Sequence, residues 1–275
     1  MPNIFAHALH RFRSTTGSAW PRLSGPMLGA LLAATVAGAP AHAADIKVLT
    51  TGAYKSVVQE MVAPFEKATG HKVEVVNDTA GAVVKRVAGG ETFDVLVLTP
   101  GGFTELAKSG RVVADTPVGL AKVGIGVAVK QGAAKPDIST ADAFKRALLN
   151  ARAVAMIDPA AGGSSGIYLM KLFERWGIAD AVKAKAVLVP GGLVATRVVS
   201  GEADLAIHQI SEIIAVKDAV LVGPLPADIQ NFTVYAGGVS ATSKAPDAAR
   251  AFLKVLSGPE AARVLAAKGM EPAGP

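Results

Sequence analysis

Short apolar runs alternate with segments of helical period along the chain. Residues 46–50 form an apolar run of strand length. Residues 56–69 repeat apolar side chains at Val57, Val58, Met61, Val62 and Phe65, a helical spacing that Gly70 ends. Further strands are predicted at 72–76, 93–98, 153–157, 186–189, 204–210 and 219–222, with helices at 82–88, 100–108, 140–151 and 167–176. A helix is also predicted from Pro190-Gly191-Gly192 to Ser200, and 112–118 reads as an irregular connector. Residues 120–130 form a long strand whose Gly124 and Gly126 fit a bend or a crossing between domains. Residues 232–240 return as a strand, and 246–256 and 259–268 close the chain as amphipathic helices with proline in the first turn.

Strands alternating with helices predict an α/β fold of mostly parallel sheets with helices on their faces. Two crossings of the chain predict two lobes around a hinged cleft, 44–122 plus 232–275 and 123–231. Ligands of such sheets sit beyond the carboxyl ends of the strands. Those ends therefore carry the candidate chemistry. The turn Asp158-Pro159-Ala160-Ala161-Gly162-Gly163-Ser164-Ser165-Gly166-Ile167-Tyr168 links an apolar strand to a helix. Its glycines admit close approach of the backbone, and a helix N-terminus favours an anion. Ser164 and Ser165 add hydroxyls, or one of them caps the helix. Thr51-Gly52-Ala53-Tyr54 and Thr79-Ala80-Gly81 repeat the arrangement earlier in the chain, and Gly191-Gly192 opens another such turn. Tyr54 and Tyr168 stand beside two of these turns, either to bond a ligand or to pack against the helix each starts.

Composition narrows the class. Hydrophobic residues make up 51% of 275 and charged residues 18%, enough for a core and against disorder. The absence of cysteine excludes a disulfide scaffold and a thiolate metal site. The N-terminus has Arg11, Arg13 and Arg22 with no acid, then an apolar run at 27–39, then Ala41-His42-Ala43. This predicts a secretory signal peptide over 1–43 and a periplasmic location. Without it, Lys+Arg falls to 28 − 3 = 25 against 22 Asp+Glu. The sequence pI near 9.5 then gives no sign of a nucleic-acid partner. Only His71 and His208 remain, far apart, so no metal or cofactor site is predicted.

Several ordered motifs carry a resemblance: Ile46-Lys47-Val48-Leu49-Thr50-Thr51-Gly52, Ala68-Thr69-Gly70-His71-Lys72-Val73, Gly90-Glu91-Thr92-Phe93-Asp94-Val95, Gly166-Ile167-Tyr168, Ser200-Gly201-Glu202-Ala203-Asp204-Leu205 and Leu256-Ser257-Gly258-Pro259-Glu260. Together they resemble the periplasmic solute-binding proteins of ABC importers, in the molybdate- and tungstate-binding subfamily. The resemblance covers the whole mature chain. It implies a type II two-lobe fold, a monomer, a small anionic ligand and an inner-membrane ABC permease as partner. The family's first-turn serine aligns with Ala53, its second-turn serine near Ala80 or Gly81, and its tyrosine with Gln209 or His208. Those departures favour an organic carboxylate over a molybdate-like oxyanion, either one held by helix N-termini and hydroxyls with His208 and Gln209, and with Arg197 only if the ligand is large. The aconitate isomerases resemble the same subfamily. That alternative gives His208 the task of moving a proton on a tricarboxylate, against a plain role as a ligand hydrogen-bonder. Lys55 and Arg86, just past the first-lobe turns, read as solvated.

The Gly163-Ser164-Ser165-Gly166 run is neither a phosphate-binding loop, lacking Gly-Lys-Ser/Thr, nor a nucleophile elbow, lacking one spacer residue. No acidic residue stands out in the sequence as a partner to orient His208.

Overall fold

The computed structural model describes residues 43–113 and 117–274. The predicted signal peptide lies outside them, apart from Ala43. The elements run β1 (Asp45–Thr51), α1 (Gly52–Thr69), β2 (Lys72–Asp78), α2 (Ala80–Ala88), β3 (Val95–Leu98), α3 (Pro100–Lys108), β4 (Val118–Lys130), α4 (Ala141–Asn150) and β5 (Val154–Ile157). A single 3-10 turn, Pro159–Ala161, leads to α5 (Ser164–Arg175), α6 (Ala179–Lys183), β6 (Ala186–Val189), α7 (Thr196–Val199), β7 (Leu205–Gln209) and α8 (Ile210–Ile214). The chain closes with β8 (Ala219–Pro224), β9 (Phe232–Val239), α9 (Pro246–Leu256), α10 (Pro259–Ala267) and β10 (Glu271–Pro272).

The strands join in the order β2-β1-β3-β9-β4-β7-β5-β6, with β8 and β10 paired to β4. Each side keeps a parallel trio, β2-β1-β3 and β7-β5-β6, while β9 and β4 run antiparallel between them. The result is an α/β mixed sheet flanked by helices. β4 is the shared strand. Val118 to Gly124 pair with β9, and Ile125 onward pair with β7 and β8. The side chain of Gln230 fixes this change of partner. It accepts from Ile125 N and donates to Ile125 O, both at 2.9 Å. A Cβ on Gly124 would come within 3.0 Å of that amide.

Apolar burial explains why the helices lie where they do. On one side of the first half, Tyr54, Val57, Val58, Met61 and Phe65 of α1 pack with Phe252 and Leu256 of α9. On its other face α2 and α3 cover Leu49, Leu96 and Leu98. In the second half Phe144, Leu169, Leu172 and Phe173 form one cluster under α4 and α5, and Val194, Val198 and Ile213 form another. Each fully buried side chain of this size contributes roughly 1.5–3 kcal/mol.

Two expectations need correction. The helix predicted from Pro190 forms only at Thr196–Val199, because Gly192 takes a left-handed φ of 85° and breaks the preceding turn. The helix predicted from Ile167 begins earlier, at Ser164.

Candidate functional site

Parallel pairing puts four strand ends at one place. Thr51 pairs with Asp78, so β1 and β2 end side by side, and their turns open α1 and α2 together. Across the cleft β5 ends at Ile157, and β7 ends at His208 and Gln209. The two sets touch. Gly81 N donates to Gly162 O at 3.1 Å, the Thr79 hydroxyl donates to Ala161 O, and Ser211 Oγ donates to Ala53 O at 2.9 Å. Side chains are excluded at the first contact, since a Cβ on Gly81 would come 2.8 Å from Gly162 Cα.

These contacts close a cavity of about 30 Å³, walled by Thr51, Ser165, His208, Gln209, Glu212 and Tyr235 among others. That is room for about one water. Its polar groups are unusual in having too few partners. Thr51 Oγ1, Ser165 Oγ, His208 Nδ1 and Gln209 Oε1 are all buried without a hydrogen bond of ordinary geometry. Gln209 uses its other end, Nε2, to donate to Thr233 Oγ1 at 2.8 Å. Thr51 and Gly163 are N-caps of α1 and α5, yet neither helix start has a side-chain cap bond or an acidic residue in its first turn. Buried polar groups are normally satisfied, and four that are not, around one cavity, make this the candidate ligand site. Such a ligand would supply acceptors to the hydroxyls and helix N-termini and a proton-exchanging group to the imidazole.

His208 has a partner on its other nitrogen. Nε2 lies 3.3 Å from Glu212 Oε2, with both side chains almost wholly buried. Burial pushes the imidazole down to about 3 and the carboxyl up to about 8. The pair is therefore held uncharged at neutral pH, a protonated carboxyl beside a neutral imidazole. Tyr235 completes the wall. Its hydroxyl is raised, first by burial and then by nearby Glu212, against a smaller lowering by the hydroxyls of Thr233 and Thr51.

Among the residues singled out from the sequence, Thr51, Gly52, Ala53, Thr79, Ala80, Ser164, Ser165, His208 and Gln209 line this cavity. Gly81 sits at the contact that shuts it. Tyr54 and Tyr168 turn away, their hydroxyls donating to Leu256 O at 3.2 Å and Ile229 O at 2.6 Å. Arg86 is paired with Asp78 and Glu91, and Arg197 with Glu202. Gly192 and Lys55 line a second cavity of about 240 Å³ that shares Gly52 and Glu212 with the first. Gly191 comes near the site only through Asp78, whose Oδ1 would lie 4.0 Å from an added Cβ. Glu212 and Tyr235 went unseen in the sequence. The signal for Glu212 was its position four residues after His208, hidden because α8 has only five residues. Among the described residues no cluster of His, Cys, Asp and Glu could hold a metal, and no helix is long and apolar enough to cross a membrane.

Comparison with known proteins gives one family match and several relatives. The family described as bacterial extracellular solute-binding protein matches residues 46–271. An aconitate isomerase from Pseudomonas sp. is 38% identical over 260 residues, spanning 92% of this chain and 98% of that protein. The molybdate-binding protein ModA of Azotobacter vinelandii is 26% identical over 247 residues, 86% of this chain and 94% of its own. Among solved structures, the periplasmic molybdate-binding protein of Azotobacter vinelandii superposes with a TM-score of 0.68 at 21% identity. It covers 84% of this chain and 99% of that one.

Proposed function

The chain belongs to the bacterial extracellular solute-binding protein family, and from that premise we propose that it is a periplasmic isomerase that moves a proton on an unsaturated tricarboxylate of the aconitate type. The observation that carries this reading is the buried His208–Glu212 pair with its free Nδ1, set among unpartnered hydroxyls at the meeting of three helix N-termini. The relative named as an aconitate isomerase supports it, since the match spans nearly the whole of both chains.

The chemistry needs one base and places for carboxylates. With Glu212 protonated, its carbonyl oxygen Oε2 accepts from Nε2–H, and Nδ1 carries the lone pair. Nδ1 takes a proton from the methylene carbon beside a carboxylate. The C–H electron pair becomes a new double bond to the central carbon, and the old double bond's electrons move to the far carbon. The imidazolium, stabilised by Glu212, returns its proton to that far carbon. Atoms and charge are unchanged, and the new double bond takes its geometry from the arm as it is held. Transient charge on the carboxylates is met by the N–H groups at the starts of α1 and α5 and by Thr51 and Ser165.

A tricarboxylate cannot enter a space for one water. The reading therefore requires the two halves, 44–122 plus 232–275 and 123–231, to part and close again about the crossings at 122–123 and 231–232. The test is to follow conversion of cis- to trans-aconitate by the wild type and by His208→Gln. General acid–base catalysis contributes about 10²–10⁴-fold, and the variant is expected to lose that much while still binding. Conversion at the wild-type rate by His208→Gln overturns the role of His208.

A second reading has its own support in the molybdate-binding relative and the paired helix N-termini. In it the same cleft only captures a small anion, an organic carboxylate or an oxyanion, and hands it to an ABC permease. Tight binding without any conversion by the wild type selects it.

A further inference from the structure

The 240 Å³ cavity beside the closed site belongs to the same cleft. It is lined from one half by Gly52, Lys55, Ser56, Gln59 and Asn77, and from the other by residues that include Gly192 and Glu212. The four α1 positions are spaced three, four and seven residues from Gly52, which puts them on one face of the helix. The opposite face, with Val57, Val58, Met61 and Phe65, is in the core. Gly52 and Glu212 line both cavities, so this polar face leads from the buried site outward. Lys55 lies about one turn beyond Gly52.

We propose that this outer chamber is the subsite for a ligand carboxylate, with the Lys55 ammonium as its counter-charge and the Asn77 and Gln59 amides and Ser56 hydroxyl as neutral donors. This rests on the isomerase reading and names the part of the cleft that selects a tricarboxylate. Two observations support it. The inner cavity holds about one water, so any larger anion has to extend into the neighbouring space. Among the described residues, Lys55 makes no hydrogen bond or ion pair, although it is half-buried. The other basic residues near the turns are already engaged, Arg86 with two carboxylates and Arg197 with one. Lys55 is the basic side chain on the cleft wall left to meet a ligand. The one carboxyl in the chamber, Glu212, is held protonated by burial and does not compete for it. A carboxylate on a flexible arm of the ligand would reach this lysine.

The test is the Kd of trans-aconitate, by calorimetry, for the full protein and for Lys55→Met, Lys55→Arg and Lys67→Met. Lys67 lies on the same helix but outside the cleft. A hydrogen bond to a charged group contributes about 1.5–3 kcal/mol, so Lys55→Met is expected to weaken binding about ten- to hundredfold. Lys55→Arg should recover most of the loss, and Lys67→Met should bind as the wild type does. A Kd for Lys55→Met within twofold of the wild type overturns the subsite, as does an equal loss in Lys67→Met. A wild type that binds trans-aconitate without converting it overturns only the isomerase reading, and the Kd series still decides on Lys55. A wild type that binds no tricarboxylate removes both.

Discussion

At the scale of residues the site depends on His208 and Glu212. Their burial shifts have opposite consequences for folding. Glu212 has a raised carboxyl, about 8 folded against 4.5, so the folded state binds the extra proton and its contribution is lost as pH rises through that window. His208 is lowered, about 3 against 6.5, so the unfolded state binds the extra proton and stability rises over that window. The two offset each other from about pH 4.5 to 6.5. Stability from this pair is expected to rise from about pH 3 to 4.5 and to fall from about 6.5 to 8. Denaturant unfolding at pH 6 and pH 8.5 checks this. The wild type should lose stability across that interval and Glu212→Gln should not; parallel behaviour of the two would refute the raised carboxyl. His208 was legible in the sequence as the one histidine at a strand end. Glu212 was not, because a five-residue helix shows no period. Tyr54, an open choice between ligand and core, proved to be core, with its hydroxyl on Leu256 O.

At the scale of elements, the strand ends were legible because apolar runs bounded by Gly, Thr and Ser turns have one reading in an alternating fold. The contact between those turns was not, since nothing local in Gly81 or Gly162 says that each faces the other. That contact gives a prediction. Gly81→Ala places a methyl 2.8 Å from Gly162 Cα, against backbone that cannot give way as a flexible side chain would. The cleft should then fail to close, with turnover falling at least tenfold while far-UV circular dichroism and the melting temperature stay near those of the wild type. Full turnover in Gly81→Ala would show that closure at this point is not required. The shortened α7 teaches a related lesson: Pro190-Gly191-Gly192 resembles a helix start by composition, but a left-handed glycine ends the turn it begins.

At the scale of the whole molecule, the predicted α/β class holds, with parallel trios on each side. The antiparallel β9 and β4 between them were hidden, because strand direction depends on which distant strand pairs with which. The cluster of Phe144, Leu169, Leu172 and Phe173 shares no residue with the cavity wall, and stability should follow it. Phe173 is fully buried in the second half, away from the cavity. Phe173→Ala should cost about 3–5 kcal/mol by denaturant unfolding; a loss below about 1 kcal/mol would contradict the packing described. The central claim, that an imidazole buried between two closing halves moves a proton, is tested most directly by nuclear magnetic resonance of cis-aconitate incubated with the wild type and with His208→Gln. The wild type is expected to bring the cis and trans isomers to equilibrium, and the variant, still binding, to do so at least a hundredfold more slowly. No conversion by the wild type, or equal rates in the two proteins, would contradict it.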